Sequence, residues 1–445
     1  MRPNTMRLKT MRLWLTPGMG VKRHVALAVV GTLLLVVAVV AGALWALAGN
    51  RQALSQPIEN VLVSDLWQGF GGWLALVGAL FGVTLAVIAI GRLNRSLLSN
   101  WMAQPRDAAM VLHKRLSLAK GPHIVAIGGG TGLSTLLRGL RHATSNLTAV
   151  VTVSDDGGSS GRLRTAFDMP APGDLTDCLA ALSDNELEVS RLLQYRFQRC
   201  DELAGHTFGN LFITTLTEVE GDFGKAIRVL NSLLNLTGAV YPVSPEPIAL
   251  TVVKTGGERV MGESKVRTVG GAVAHAMIEP ADPEVTPEVV GSLLSAQVVV
   301  LGPGSLFTST LPPLLVPGVQ QALLQTSARL VYICNIMTET GETDGFSVFD
   351  HVQVLFTALG RYPDVVVVNS TPVDAARVER YAEEGATVVA CDLAQLEGLG
   401  IEVVSLPLLS DGPHAQHDAA ALAQWLVQPA RFRVAPIPKT KVAAA

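Results

Sequence analysis

The chain has 445 residues, of which 49% are hydrophobic and 16% charged, and its formal net charge is −3. A charged share this far below the ~25% of soluble domains points to membrane segments, and the near-neutral balance gives no footprint for nucleic acid. Cys178, Cys200, Cys334 and Cys391 are scattered, with no CxxC pair and no histidines at zinc spacing, which argues against a disulfide framework or structural zinc and fits a reducing compartment.

Residues 1–23 form a basic tail carrying Arg2, Arg7, Lys9, Arg12, Lys22 and Arg23. A transmembrane hairpin is expected over 24–91, because Val25 to Ala48 and about Gln68 to Gly91 are uncharged runs. Each exceeds the ~20 residues a helix needs to cross a bilayer core, and lipid forces the backbone to satisfy itself as helix. Arg92, Arg95, Arg106, Lys114, Arg115 and Lys120 follow the second run, whereas the loop between the runs holds Arg51 against Glu59 and Asp65. Positive-inside logic then places both termini and the large C-terminal part in the cytoplasm, at the inner membrane, with Trp45, Trp67 and Trp73 near the outer interface. The competing reading is a cleaved signal peptide ending at Ala46-Leu47-Ala48, disfavoured by the length of the apolar run. Gly78 and Gly82 have the spacing that packs spans together or makes dimers. Residues 92–120, including Trp101, read as a linker, as an interfacial helix against anionic lipid, or as a helix capping the next domain.

From Gly121 to about 430 short apolar runs alternate with helical patterns, and 431–445 is a tail. "HIVAIGGG", "LTAVVTVSDD", "AQVVVLGPGS", "LVYICNIMT", "DVVVVNST", "ATVVACDL" and "IEVVSLPL" are the predicted strands, with a helix from Leu133 to His142. Lys254-Thr255-Gly256-Gly257 turns a predicted β-hairpin insertion. Nearly continuous apolar strands separated by helices predict a doubly wound, mainly parallel α/β sheet covered on both faces, with ligands at the carboxyl ends of its strands.

The informative residues gather at those ends. Gly128, Gly129, Gly130, Thr131 and Gly132 lead from a strand into a helix, which suits an anion site or simply tight packing. The spacing fits neither a dinucleotide fingerprint nor a P-loop, since Leu133 and Ser134 stand in the wrong places. The second strand ends in Ser154, Asp155 and Asp156, a pair of acids suited to ribose hydroxyls or to a magnesium ion. Ser159, Ser160 and Gly161 offer donors there, and Arg162 or Arg164 can balance phosphate charge. Asp174 and Asn210 divide between ligand contact and helix capping, and His206 reads as a buried structural histidine. Gly302, Gly304 and Ser305 make a second phosphate-type loop, and Asn335, Glu342, Thr343 and Asp344 follow another strand. No nucleophile or general base is identified by spacing. The physical reading stops at a membrane-tethered α/β domain for a phosphorylated ligand.

Four segments in order, "AIGGGTGLSTLLRGL", "VTVSDDGGSSGRLR", "PGDLTDCLAALS" and "GPGSLFTSTLPPLLVPG", with "FGNLF" and "NIMTETGETDGFSVFDHV", resemble the gluconeogenesis factor family of the YvcK type. That family is related to the CofD-type 2-phospho-L-lactate transferases, and the resemblance covers Gly121 to about Trp425. It implies a Rossmann-like domain that binds a uridine diphosphate sugar such as UDP-N-acetylglucosamine and regulates carbon flux, cell-wall morphogenesis and cell shape. The transferase branch implies instead a magnesium-dependent transfer of phospholactate from a guanosine diphosphate derivative to a deazaflavin precursor. Its acidic loop follows an Asn-Thr-Gly-Asp-Asp scheme; here Asp155 and Asp156 match the paired acids, and the residues after them follow the regulator branch. Whether the domain catalyses a reaction, and whether it forms a homo-oligomer, stay open. Near the C-terminus Gln416 precedes His417 and Asp418 where the resemblance leads one to expect Arg-His-Asp; if that arginine meets phosphate, its replacement here bears on ligand affinity or identity.

Overall fold

The computed structural model describes residues 21–48, 65–98 and 108–428. Arg2, Arg7, Lys9, Arg12, Arg51, Glu59, Trp101, Arg106 and the 431–445 tail lie outside the described residues, as do the side chains of Lys22, Asp65 and Trp67. The chain divides into two compact units, 1–114 and 115–445.

In the first unit the helices Val21–Ala48 and Asp65–Leu98 run longer than the uncharged segments that predict them. Within them, Arg23–Leu47 and Gly69–Ser96 are long and apolar enough to cross a membrane. They pack antiparallel through small residues. A β-carbon at Gly82 would fall 2.9 Å from Gly31 O and from Leu35 N, and one at Gly78 would lie 3.3 Å from Ala38 Cβ. Close backbone approach of this kind is the packing that apolar helices use where a lipid surrounding would supply no hydrophobic drive between them. The Trp45 ring lies over Gly72, so Trp45 and Trp73 share one end of the hairpin. Residues 92–98 continue the second helix, and Ala108–Leu118 forms a further helix in the stretch read as a linker.

The second unit carries a seven-stranded sheet of β1 (Ile124–Gly128), β2 (Leu147–Val151), β3 (Ala239–Pro242), β7 (Val298–Leu301), β8 (Arg329–Ile333), β9 (Val365–Asn369) and β10 (Glu402–Leu406). Across the sheet they are ordered β10-β9-β8-β7-β1-β2-β3. Every pairing in it is parallel. The apolar strands are buried on both faces, β1 as Ile-Val-Ala-Ile-Gly and β7 as Val-Val-Val-Leu, because helices cover each side. After β1, β2 and β3 grow in one direction, the chain returns to place β7 on the other flank of β1. The switch point therefore lies between β1 and β7, where open α/β sheets form a crevice.

One sequence expectation is corrected and another, the β-hairpin insertion, is extended. "ATVVACDL" contributes only isolated bridges, Met337 with Val388 and Ser347 with Ala390, because its residues are largely exposed and no helix covers them as a core strand. The insertion is a three-stranded antiparallel sheet ordered β5-β4-β6, with β4 (Ala249–Lys254), β5 (Arg259–Met261) and β6 (Val273–Glu279). Its third strand was not legible, since β6 alternates weakly and is mostly exposed.

Buried Lys254, at the predicted hairpin turn, holds this insertion in place. Its Nζ donates to Val266 O at 2.7 Å, to Gly271 O at 3.0 Å and to Gly341 O. One ammonium thus ties the insertion to the loop after β8.

Candidate functional site

The helix after β1 spans Gly130–Leu140, three residues earlier than predicted, so the glycine loop is itself the first helical turn. No side chain of its own caps this start. Gly132 lets the β1 and β7 loops touch: a β-carbon there would lie 2.4 Å from Pro303 O. Gly130, Gly302 and Gly304 have φ of 59°, 76° and 144°, a region open chiefly to glycine. Asn335 accepts the Gly304 N–H at 3.4 Å and joins the β8 loop to the pair.

These loops border a cleft of about 580 Å³ at the switch point. Gly129, Gly130, Thr131, Gly132, Asp155, Asp174, Gly304, Ser305 and Asn335 line it, which brings together residues far apart in sequence. Gly128 and Gly302 lie at the strand ends behind this lining.

The acidic loop after β2 is divided. Asp155 faces the cleft and accepts the Gly157 N–H at 2.8 Å. Asp156 does not line the cleft; its Oδ1 accepts the Ser264 N–H at 2.8 Å, at the start of the helix Glu263–Val266. The two acids are thus engaged by different partners, Asp155 by its own loop and Asp156 by the insertion. Among the described residues no group of three or more His, Cys, Asp or Glu side chains is arranged to hold a metal ion.

From Gly158 the loop is already a helix, Gly158–Phe167, and its phase turns the serines inward. Ser159 Oγ lies 3.0 Å from His206 Nδ1 and accepts from Asn210 Nδ2 at 3.1 Å, and Ser160 Oγ accepts from the same amide at 3.3 Å. Thr176 donates to Asn210 Oδ1 at 3.2 Å. Ser159, Ser160 and Asn210 thus form a buried network behind the cleft rather than part of its lining, and His206 is buried with them. Gly161 serves packing, since a β-carbon there would overlap Asp156 O. Arg162 donates to Ala204 O at 3.0 Å, outside the cleft, and Arg164 donates to Ser154 O at 3.1 Å.

Asp174 is not the cap of its own helix, Gly173–Leu182; Pro172 holds that position. Its carboxylate accepts from the Gly130 N–H, and burial, with Asp155 and Asp177 nearby, raises its pKa to about 7. Glu263 joins these acids from the insertion, accepting Ser154 Oγ–H at 3.3 Å. Burial and the charges of Asp174, Asp155 and Glu342 push it well above the usual carboxylate range.

Sequence reasoning missed Glu263, Arg267, Thr308, Met337, Tyr381 and the placement of His417, all of which line the cleft. The available signal was Glu263 and Arg267 four residues apart at the end of the predicted hairpin. His417 is buried and neutral, its pKa lowered to about 4 by desolvation. Its Nε2–H donates to Cys334 O at 3.1 Å, leaving Nδ1 as an acceptor. Asp418 caps the helix Ala419–Leu426. Gln416 lines the cleft without a charge.

A parallel sheet with two glycine loops meeting at its switch point, beside a cluster of carboxylates, defines a doubly wound α/β domain with a cleft where such sheets commonly hold ligands. The model of the family described as 2-phospho-L-lactate transferase CofD matches residues 124–409. The chain belongs to this family, in its gluconeogenesis factor branch. A Deinococcus radiodurans relative of that branch is 41% identical over 448 residues, spanning 97% of this chain and 93% of its own length. The gluconeogenesis factor of Bacillus subtilis is 38% identical over 312 residues, spanning 70% of this chain and 98% of its own. The first alignment therefore reaches into the helical hairpin, whereas the second has the length of the α/β domain. A crystal structure of a Bacillus halodurans protein is 40% identical, with a TM-score of 0.67, covering 69% of this chain and 100% of that one.

Proposed function

We propose that this chain is a membrane-anchored regulator whose cytoplasmic domain binds a uridine diphosphate sugar, such as UDP-N-acetylglucosamine, and adjusts carbon flux and cell-wall morphogenesis. The observation that carries the reading is the meeting of the β1 and β7 glycine loops, where Gly132 abuts Pro303 O. The glycine-rich helix start and the Ser305, Thr308 and Ser309 side chains line one cleft and suit a diphosphate. Ile336, Met337 and the Tyr381 ring offer an apolar wall for a base, and Asp155, Asp174 and Glu263 offer acceptors for sugar hydroxyls.

Magnesium fits the same acids in a limited sense. Mg²⁺ is usually held by one or two carboxylates plus substrate phosphates rather than by a protein cage, and Asp155 and Asp174 are the hard oxygen donors beside the diphosphate position. When bound it would neutralise phosphate charge. The family match and these buried acids favour a second reading, a magnesium-dependent transferase of the 2-phospho-L-lactate type.

The anchor is read as a two-pass hairpin in the cytoplasmic membrane with both termini inside. Arg92 and Arg95 at the end of the second span, against the near-neutral loop between the spans, support that orientation. The test is calorimetric titration of the full chain in lipid nanodiscs with uridine diphosphate sugars and guanosine nucleotides, with and without magnesium. Selective uridine-sugar binding without turnover is expected. Guanosine preference with magnesium dependence and a new product would replace the regulator by the transferase.

A further inference from the structure

A diphosphate in this cleft needs a cationic partner, and Arg162 and Arg164 donate instead to backbone carbonyls. Arg267 lines the cleft, reaching it from the insertion just after the helix Glu263–Val266. Its guanidinium spans the loops after β7 and β8. Nη2 donates to Ser305 Oγ at 2.7 Å, Nε donates to Glu342 Oε1 at 2.9 Å, and Glu339 Oε2 lies 3.4 Å away.

Glu342 is the unusual member of this group. It is fully buried, its Oε1 is shared with the Thr308 hydroxyl at 3.4 Å, and its Oε2 has no hydrogen-bond partner. The other charges near it are Glu339 and Glu263, both acidic, and Lys254, whose ammonium is engaged by three carbonyls. Burial and Glu339 raise its pKa to about 7, and Arg267 opposes the rise. Without Arg267 the carboxylate would be a buried charge facing other acids, and such a group neutralises rather than stays ionised.

We propose that Arg267 is the phosphate-binding cation of this cleft and that it is exchanged: an arriving diphosphate draws the guanidinium from Glu342, and Glu342 takes up a proton in its place. The inference rests on the diphosphate reading above. Ligand binding is then linked to proton uptake and weakens as pH rises, and Ser305 Oγ is released to the ligand in the same movement.

The experiment is titration of the full chain in nanodiscs with UDP-N-acetylglucosamine and, separately, inorganic pyrophosphate, at about pH 8 in buffers of different ionisation enthalpy. The wild type should take up protons on binding, and Glu342→Gln should take up close to one fewer per ligand. Glutamine keeps an oxygen for Arg267, so this variant retains the local contacts and holds the test even where an arginine variant unfolds. Arg267→Met should bind roughly tenfold more weakly or worse. Equal proton uptake by the wild type and Glu342→Gln, or wild-type affinity in a folded Arg267→Met, would overturn the exchange while sparing the nucleotide reading. A folded wild type that binds neither probe would overturn both.

Discussion

The Asp174 carboxylate stands in for the missing cap of the glycine-loop helix: it accepts the Gly130 N–H, and its Oδ2 lies where a β-carbon on Gly129 would be only 2.3 Å away. The acid that partly satisfies the helix start thus dictates that its neighbour have no side chain. This contact sets the vulnerability of the loop to substitution.

Gly129→Ala should damage folding and binding together. The new methyl meets Asp174 Oδ2 at 2.3 Å and Thr152 Cγ2 at 2.5 Å, both in a buried setting where overpacking costs about 1–3 kcal/mol. Thermal unfolding should show a lowered midpoint, and an unchanged midpoint would mean that the loop yields freely.

Asp174→Asn should show a pH-dependent gain in stability. With a folded-state pKa of about 7 against an ordinary 3.8, the wild type holds its proton more tightly when folded. That stabilisation is complete below the ordinary value and is lost as pH rises through the folded value, by at most about 4 kcal/mol. Asparagine has no such loss. Urea unfolding should therefore favour the variant at neutral to alkaline pH and show the gap closing toward pH ~4. A constant difference across pH would refute the assignment.

Lys254→Met should loosen the cleft from behind. It removes the partner of three carbonyls, Val266, Gly271 and Gly341, at a cost on the order of 2–4 kcal/mol. Hydrogen exchange should accelerate in 262–272 and 339–344 before the seven-stranded sheet is affected.

Gly82→Leu should separate the two long helices, because its β-carbon position lies 2.9 Å from backbone atoms of the opposing helix. Disulfide cross-linking of cysteines placed at Ala38 and Gly78, efficient in the parent, should fall in the variant.

Gln416→Arg should tighten diphosphate binding, since the substituted position lines the cleft beside Tyr381 and His417 and at present carries no charge. About tenfold is expected for one added charge-assisted contact. No change on titration would show that Arg267 alone meets the phosphate.

The candidate site was legible in part, and the division follows locality. Gly129 to Gly132, Asp155, Gly304, Ser305 and Asn335 were found because each directly follows an apolar strand, and strand ends in such a sheet converge. Ser159, Ser160 and Asn210 were assigned to the ligand because their chemistry suits one, yet the helix that begins at Gly158 rotates the serines into a buried network. Asp156 was paired with Asp155 by adjacency, but consecutive residues in an extended turn point apart, and Ser264 N takes its carboxylate.

By itself the sequence determined the two apolar helices, the parallel α/β class and the positions of the glycine loops. Each is written in a local pattern: an uncharged run, a continuous β-branched strand, a cluster of small residues. Only the tertiary structure decided which side chains face the cleft, and it brought Glu263 and Arg267 to acids and hydroxyls distant along the chain. Burial on a strand is fixed by its nearest neighbours, whereas the pairing of Arg267 with Glu342 spans 75 residues and exists only once the insertion has folded over the sheet.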